Sequence, residues 1–294
     1  MNTNARLSTG IAGLDAHLGG GLIPGTMAVV VGATGIGKTQ LGLQFLEAGR
    51  RQEGRGGIIL DLSARIDSQS HADYAGRMFN WPLRAHQREN FARDHYYEGP
   101  LPGDLLHVFS RQGRRVTQRD MDFDAWHDWQ TELASELTTA IDFFYANFVR
   151  GARRVIIDGI EPVERPSESI QFELLEYVYH QILRKEHDWV ARDLFREAYR
   201  AHADAVALHA YDNCQIGTML LATSHESMLE ALIERPLVDG DVLATANTLI
   251  YMGKLREADG RMGRGLYIAK HRGSACSEDI LRFAIDDRGI RIVA

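Results

Sequence analysis

A lysine and a threonine directly after a glycine-rich turn are the residues best suited to chemistry in this chain. They close the stretch Gly32-Ala33-Thr34-Gly35-Ile36-Gly37-Lys38-Thr39, which has the G-x-x-x-x-G-K-[ST] spacing of a P-loop. Such a loop wraps a phosphate with several inward-aimed backbone N–H groups, which demands positive φ and no Cβ in the way. Lys38 would reach the β- and γ-phosphates, and the Thr39 hydroxyl would ligate Mg²⁺. Gly32 through Gln40 thus form the expected nucleotide site, with a nucleotide's phosphates and Mg²⁺ as its ligands. Asp158 ends the apolar run Val155-Ile156-Ile157, and a carboxylate there would hold the metal through water beside Thr39. A turn or helix-capping role is the plainer alternative for Asp158.

These side chains need elements to carry them. Met27 to Val31 reads as a buried strand entering the loop, and Gln40-Leu41-Gly42-Leu43-Gln44-Phe45-Leu46 as a helix leaving it. The N-terminus of that helix adds its dipole and its unpaired N–H groups to the anion site. Further strands are expected at 57–62, 105–109, 153–158 and 217–223, with helices at 72–79, from Leu133 to about 148, at 169–186, at 189–210 and at 226–233. Apolar residues at 133, 137, 141, 144 and 148 fall on one helical face. The end of the chain reads as β segments near 248–253, 265–270, 280–285 and 290–293, with turns at Asp259-Gly260 and Asp287-Arg288-Gly289. Strands alternating with helices and then a β-rich end give a wound α/β fold with a mostly parallel sheet and a C-terminal antiparallel segment. One domain over 1–294 is expected, with insertions at about 84–128 and 186–213; Asp120 to Asp128 reads as an acidic loop, and 189–210 as a lid or contact helix.

Composition sets bounds. The net charge is −7, with 45% hydrophobic and 25% charged residues, ordinary values for a globular chain. No apolar run approaches a membrane span and none follows the start as a signal peptide would. The two cysteines, Cys214 and Cys276, form no ligand or redox motif, so a reducing cytoplasm is the expected setting. Lysine occurs only at 38, 185, 254 and 270, which draws attention to Lys38 and Lys270. None of the 12 histidines shows metal-ligand spacing, and surface or packing roles are expected for them.

Ahead of the first strand, Ser8 to Gly25 matches S-T-G-x-x-x-L-D-x-x-L-G-G-G-x-x-x-G. With the P-loop, this resembles the RecA superfamily and, within it, the KaiC-like and RadA-like branch. The resemblance implies a RecA-like ATPase with ATP at subunit interfaces of a homo-oligomeric ring, a hexamer. It also implies a glutamate at the end of the second strand to orient the attacking water, where this chain has Leu60-Asp61-Leu62-Ser63. A serine hydroxyl near its ordinary pKa is a poor general base, so ATP is expected to be bound with slow hydrolysis. Asp61, Asp67 and Glu161 are the candidate substitutes. Thr223-Ser224-His225 corresponds to a strand end that senses the γ-phosphate, with hydroxyl capping of the following helix as the alternative. Lys270-His271-Arg272-Gly273-Ser274 is similar to a K-x-R-G-S segment whose Lys and Arg reach the neighbouring subunit's γ-phosphate; an ordinary solvated strand end is the alternative.

Three functions follow. The favoured one is an oligomeric nucleotide-dependent switch or scaffold. Clock-type relatives autophosphorylate an adjacent Ser-Thr pair, which Val242-Leu243-Ala244-Thr245-Ala246 lacks. A RadA-like DNA repair ATPase is the alternative, disfavoured by the acidic stretch Glu226 to Asp241; Arg111 to Arg119 is the compact basic candidate. An ordinarily hydrolysing ATPase is the third, disfavoured by Ser63.

Overall fold

In a computed structural model, residues 5–63, 71–86, 96–108, 122–161, 170–234 and 245–293 are described. Their centre is a strand too apolar to face water on either side. β1 (Met27–Gly32) is buried along its whole length, with Val29 and Val31 in one apolar cluster and Ala28 and Val30 in the other. A strand covered on both faces is what a parallel sheet with helices on both sides requires.

The other strands are β2 (Ile58–Asp61), β3 (Leu105–His107), β4 (Arg154–Ile160), β5 (Gly217–Thr223), β6 (Thr248–Arg256), β7 (Met262–His271), β8 (Leu281–Asp286) and β9 (Gly289–Ile292). They form a nine-stranded sheet in the order β3-β2-β4-β5-β1-β6-β7-β8-β9. Strands β3 to β6 in that order run parallel, and the last three are added antiparallel. This is the RecA-like wound α/β arrangement with an antiparallel end that the sequence led us to expect.

Helices α1 (Leu14–His17) and α2 (Lys38–Gln52) pack with α3 (His71–Phe79) on one face. The other face carries α4 (Phe123–Val149), α5 (Ile170–Val178), α6 (His187–Phe195) and α7 (Tyr199–Leu208); α8 (Leu229–Glu234) lies over β6 and β7. Buried Gln44 of α2 both donates to the Ile290 carbonyl at 2.9 Å and accepts from its N–H at 2.7 Å. The helix that begins at the P-loop is thereby tied to the far edge of the sheet.

Three expectations change. The acidic stretch from 123 onward is the first turns of α4 and not a loop; acids near a helix N-terminus are favoured by its dipole, so they mark a start. The helix expected over 169–186 ends as α5 at Val178 and continues as a π turn over Tyr179–Leu183. The single helix expected over 189–210 is two, broken by a 3₁₀ turn at Arg196–Ala198 where Arg196 has φ 48°. α7 folds back, because the His187 ring at the start of α6 bonds the Val206 carbonyl at 2.9 Å. α6 buries Val190, Ala191, Leu194 and Phe195 while α7 buries only Val206, so one straight helix would have had no apolar face to continue. Trp189 and Leu208 stay exposed. No described helix is long and apolar enough to cross a membrane.

Candidate functional site

The N-terminal motif packs at the amino end of the sheet, against the last turn of α2. Asp15 accepts from the Ser8 hydroxyl at 2.6 Å and from both the N–H and the hydroxyl of Thr9 at 2.7 Å. Leu14 and Leu18 are fully buried below it. This gives S-T-G-x-x-x-L-D a structural meaning: the carboxylate closes the turn, and the leucines seat it on the sheet. Arg154, also fully buried, then clamps the segment. It donates to Glu53 at 2.8 and 2.9 Å, to the carbonyls of Ser8 at 2.6 Å and Phe45 at 2.7 Å, and to Gln52.

At the carboxyl end of β1 the chain turns through Ala33, Thr34, Gly35 and Ile36 into α2. Ile36 is buried and pins the loop, whereas Thr34 and Gly35 face outward. Gly37, at φ 117°, holds the left-handed conformation that caps the helix start. A Cβ built on Gly35 (φ 76°) would meet nothing within 4 Å, so glycine is favoured there by its backbone conformation and not by crowding. Lys38 is buried, and its ammonium group bonds the carbonyls of Gly32 at 2.8 Å and Ala33 at 3.0 Å. Burial lowers its pKa to about 8, with Asp158 pulling partly back. Gln40 follows on the first turn, partly buried.

Thr39 and Asp158 meet as expected: the threonine hydroxyl donates to Asp158 Oδ2 at 2.9 Å. The donor set is all oxygen and small, which suits Mg²⁺, an ion that keeps several waters and takes few protein ligands. Among the described residues no group of three or more His, Cys, Asp or Glu is arranged to hold a metal by itself. Thr39 and Asp158 would therefore hold a metal that arrives with the phosphates. Asp158 does not end its strand, since β4 runs on to Ile160.

Ser63 lies beside Asp158. Its N–H donates to Asp61 Oδ1 at 2.9 Å, and the Leu62 N–H donates to the Asp158 carbonyl at 2.8 Å. Gly159 is required here: a Cβ would come within 2.2 Å of the Ser63 nitrogen. Of the candidate substitutes, Asp61 is buried and already engaged by His107 Nδ1 at 2.9 Å. Glu161 is partly buried, with its N–H on the Gln171 side chain at 3.2 Å. Asp67 lies outside the described residues, as do Arg111 to Arg119 and most of the acidic stretch after 234.

His71 joins the site without a motif to announce it. Its Nε2 donates to Asp158 Oδ2 at 3.0 Å, and its Nδ1 lies 3.8 Å from Asp61 Oδ2. Burial lowers the His71 pKa, but the hydrogen bond and charge of Asp158, then Asp61, outweigh it and leave it raised. Asp61 sits below the usual carboxylate range: burial would raise it, but His107, His71 and Ser63 bring it down. The legible signal was positional. Asp61 and His107 end two neighbouring parallel strands and Asp158, the register partner of Asp61, lies toward the carboxyl end of the third, the region where open α/β sheets bind ligands.

Of the remaining predicted residues, Ser224 lies against the P-loop and Lys270 and Arg272 lie away from it. The buried Ser224 N–H donates to the Gly32 carbonyl at 3.1 Å, and its hydroxyl accepts from the Glu226 N–H at 3.1 Å. That is a local cap on the turn before α8, which begins at Leu229 rather than 226; His225 is exposed. Lys270 and Arg272 are not at this chain's own P-loop. Lys270 pairs with Leu249, which pairs with Val29, about 10 Å down the strand from Gly32. The Arg272 N–H bonds the Asn247 carbonyl beyond the amino end of β6. Buried His271 between them donates Nε2–H to the Leu18 carbonyl at 3.1 Å and accepts the Thr248 hydroxyl at 2.9 Å, so the strand end is fixed while Arg272 is exposed.

Residues 7–100 match the family model described as "ATPase: KaiC". The circadian clock oscillator protein KaiC of Rippkaea orientalis is 35% identical over 88 residues, 30% of this chain and 16% of that protein. The corresponding KaiC 1 of Synechocystis is 44% identical over 75 residues, 26% of this chain and 14% of that protein. The chain thus spans about a sixth of the KaiC proteins it matches. The UPF0273 protein MK0039 of Methanopyrus kandleri is 26% identical over 289 residues, covering 98% of this chain and 91% of that one. Together with the sheet order and the P-loop, these likenesses show what the chain resembles: KaiC-like P-loop ATPases of the RecA superfamily.

Proposed function

We propose that the chain binds Mg-ATP at Gly32 to Gln40 and acts as an oligomeric, nucleotide-dependent switch or scaffold in the cytoplasm that hydrolyses ATP slowly. The observation that carries this reading is the pairing of a complete P-loop and its Thr39–Asp158 partner with Ser63 at the water-orienting position. Lys38, released from the loop carbonyls, would bind the β- and γ-phosphates, and Thr39 and Asp158 would hold Mg²⁺. The metal neutralises phosphate charge when bound. Losing a positioned base or water-orienting group removes roughly 10²–10⁴ in rate, and the engaged Asp61 carboxylate supports slow turnover.

Lys270 and Arg272 support assembly. They stand at the opposite end of the sheet from the chain's own P-loop, which favours a γ-phosphate supplied by a neighbouring copy, as in a ring with nucleotide at each interface. The test is equilibrium binding of ATP with Mg²⁺ together with steady-state phosphate release. Tight binding that Lys38→Ala weakens roughly 100-fold, with slow turnover, is expected. Turnover at ordinary ATPase rates would remove the switch reading in its slow form, and absence of binding would remove it altogether.

A further inference from the structure

Asp61 and Asp158 are register partners on adjacent parallel strands, about 4.8 Å apart across the ladder. Their side chains are 11% and 13% exposed. Two carboxylates this close and this buried repel each other, so neither holds a defined orientation without donors between them. The chain supplies those donors from outside the strands. His71, the first residue of α3, lies between the pair with Nε2 3.0 Å from Asp158 Oδ2 and Nδ1 3.8 Å from Asp61 Oδ2. His107, at the end of β3, donates Nδ1–H to that same Asp61 oxygen at 2.9 Å.

The Asp158 carboxylate is therefore fixed at both oxygens. Oδ2 accepts from Thr39 and His71, and Oδ1 accepts from the Gly159 N–H at 2.7 Å. A carboxylate that holds Mg²⁺ through water acts by the direction of its lone pairs, and that direction is set by its other hydrogen-bond partners. We propose that His71 is the positioning residue of the metal site, holding Asp158 toward Thr39 while Asp61 and His107 brace it from behind. This rests on the Mg-nucleotide reading above and adds a residue from a separate helix to it.

The test compares the affinity of N-methylanthraniloyl-ATP with excess Mg²⁺ and with EDTA, by fluorescence titration. The ratio of the two isolates the metal-dependent part of binding, which a merely structural histidine would not move. His71→Ala is expected to cut that ratio roughly 10- to 100-fold, the usual cost of losing an outer-shell partner. His71→Gln, which can still donate to Asp158, is expected to restore part of it, and Asp61→Asn to lower it less than His71→Ala does. Circular dichroism and thermal unfolding are measured on each variant. An unchanged ratio in a folded His71→Ala or His71→Gln protein overturns the proposal while leaving nucleotide binding intact. Loss of folding in both variants also overturns it, since His71 would then be a packing residue. Failure of the wild-type chain to bind the analogue in either condition removes the nucleotide reading itself.

Discussion

The two ends of the parallel sheet differ in what they do with charge. At the carboxyl end, charges face each other inside one chain: Lys38 on loop carbonyls, Thr39 and His71 on Asp158, His107 on Asp61. At the amino end the cations divide into two kinds. Arg154 is fully buried and saturated by Glu53, Gln52 and two carbonyls, whereas Arg272 points into solvent from a strand end that His271 holds rigid. One arginine fastens the fold. The other is presented outward, with Lys270 beside it and its pKa lowered by partial burial and by Arg272. On the proposed reading, a single copy holds Lys270 and Arg272 apart from its own P-loop, and a neighbouring copy would bring such a pair to it.

The largest effect should come from breaking that reunion. On a Ser63→Glu background, which is expected to raise phosphate release, replacing Lys270 and Arg272 by Ala should lower it by roughly 10³ or more. Nucleotide affinity of the unassembled chain should change little, as titration of dilute protein would show. Next comes the buried cation at the same end. Arg154→Ala strands Glu53 and the Ser8 and Phe45 carbonyls and should destabilise the chain by about 3–5 kcal/mol, read in a denaturant titration. If Arg154→Ala and Arg272→Ala proved equally destabilising, the distinction between fastening and presenting cations would fail.

At the carboxyl end, Lys38→Ala removes charge-assisted bonds to the phosphates worth about 1.5–3 kcal/mol each, so ATP affinity should fall by roughly 100-fold in calorimetry. The smallest effect is one of pH. Lys38 in the free protein titrates near 8 because it is buried, and bound phosphate favours its charged form. Affinity should therefore be level below pH 8 and decline above it, by up to about tenfold per pH unit, with proton uptake on binding between pH 8 and 9. A flat profile across that range would show that Lys38 does not carry the charge that binds phosphate.

The central strand, the loop and the helix after it were readable because local signals agreed. Gly37 and Gly35 sit where positive φ is needed, and the apolar runs at 27–31 and 155–157 are long and uninterrupted. Thr39 and Asp158, 119 positions apart, are expected side by side because a shared Mg²⁺ would need both, and their side chains do touch. His71 was invisible for the opposite reason. No spacing links it to Asp61 or Asp158, and only the packing of α3 against the strand ends brings it there. The broken helix at Arg196 was likewise hidden, because helical propensity runs through it and the break follows from which side chains find a core. His271 looked like one of a basic run, yet its two ring nitrogens are used internally, which only the β6–β7 register reveals.

Sedimentation velocity with and without Mg-ATP, on protein whose phosphate release is followed in parallel, tests the central claim most directly. The account predicts a larger, closed assembly in Mg-ATP that persists while phosphate appears slowly, and that Arg272→Ala fails to form or to sustain. A chain that binds Mg-ATP to saturation yet sediments as a monomer in every state would contradict it.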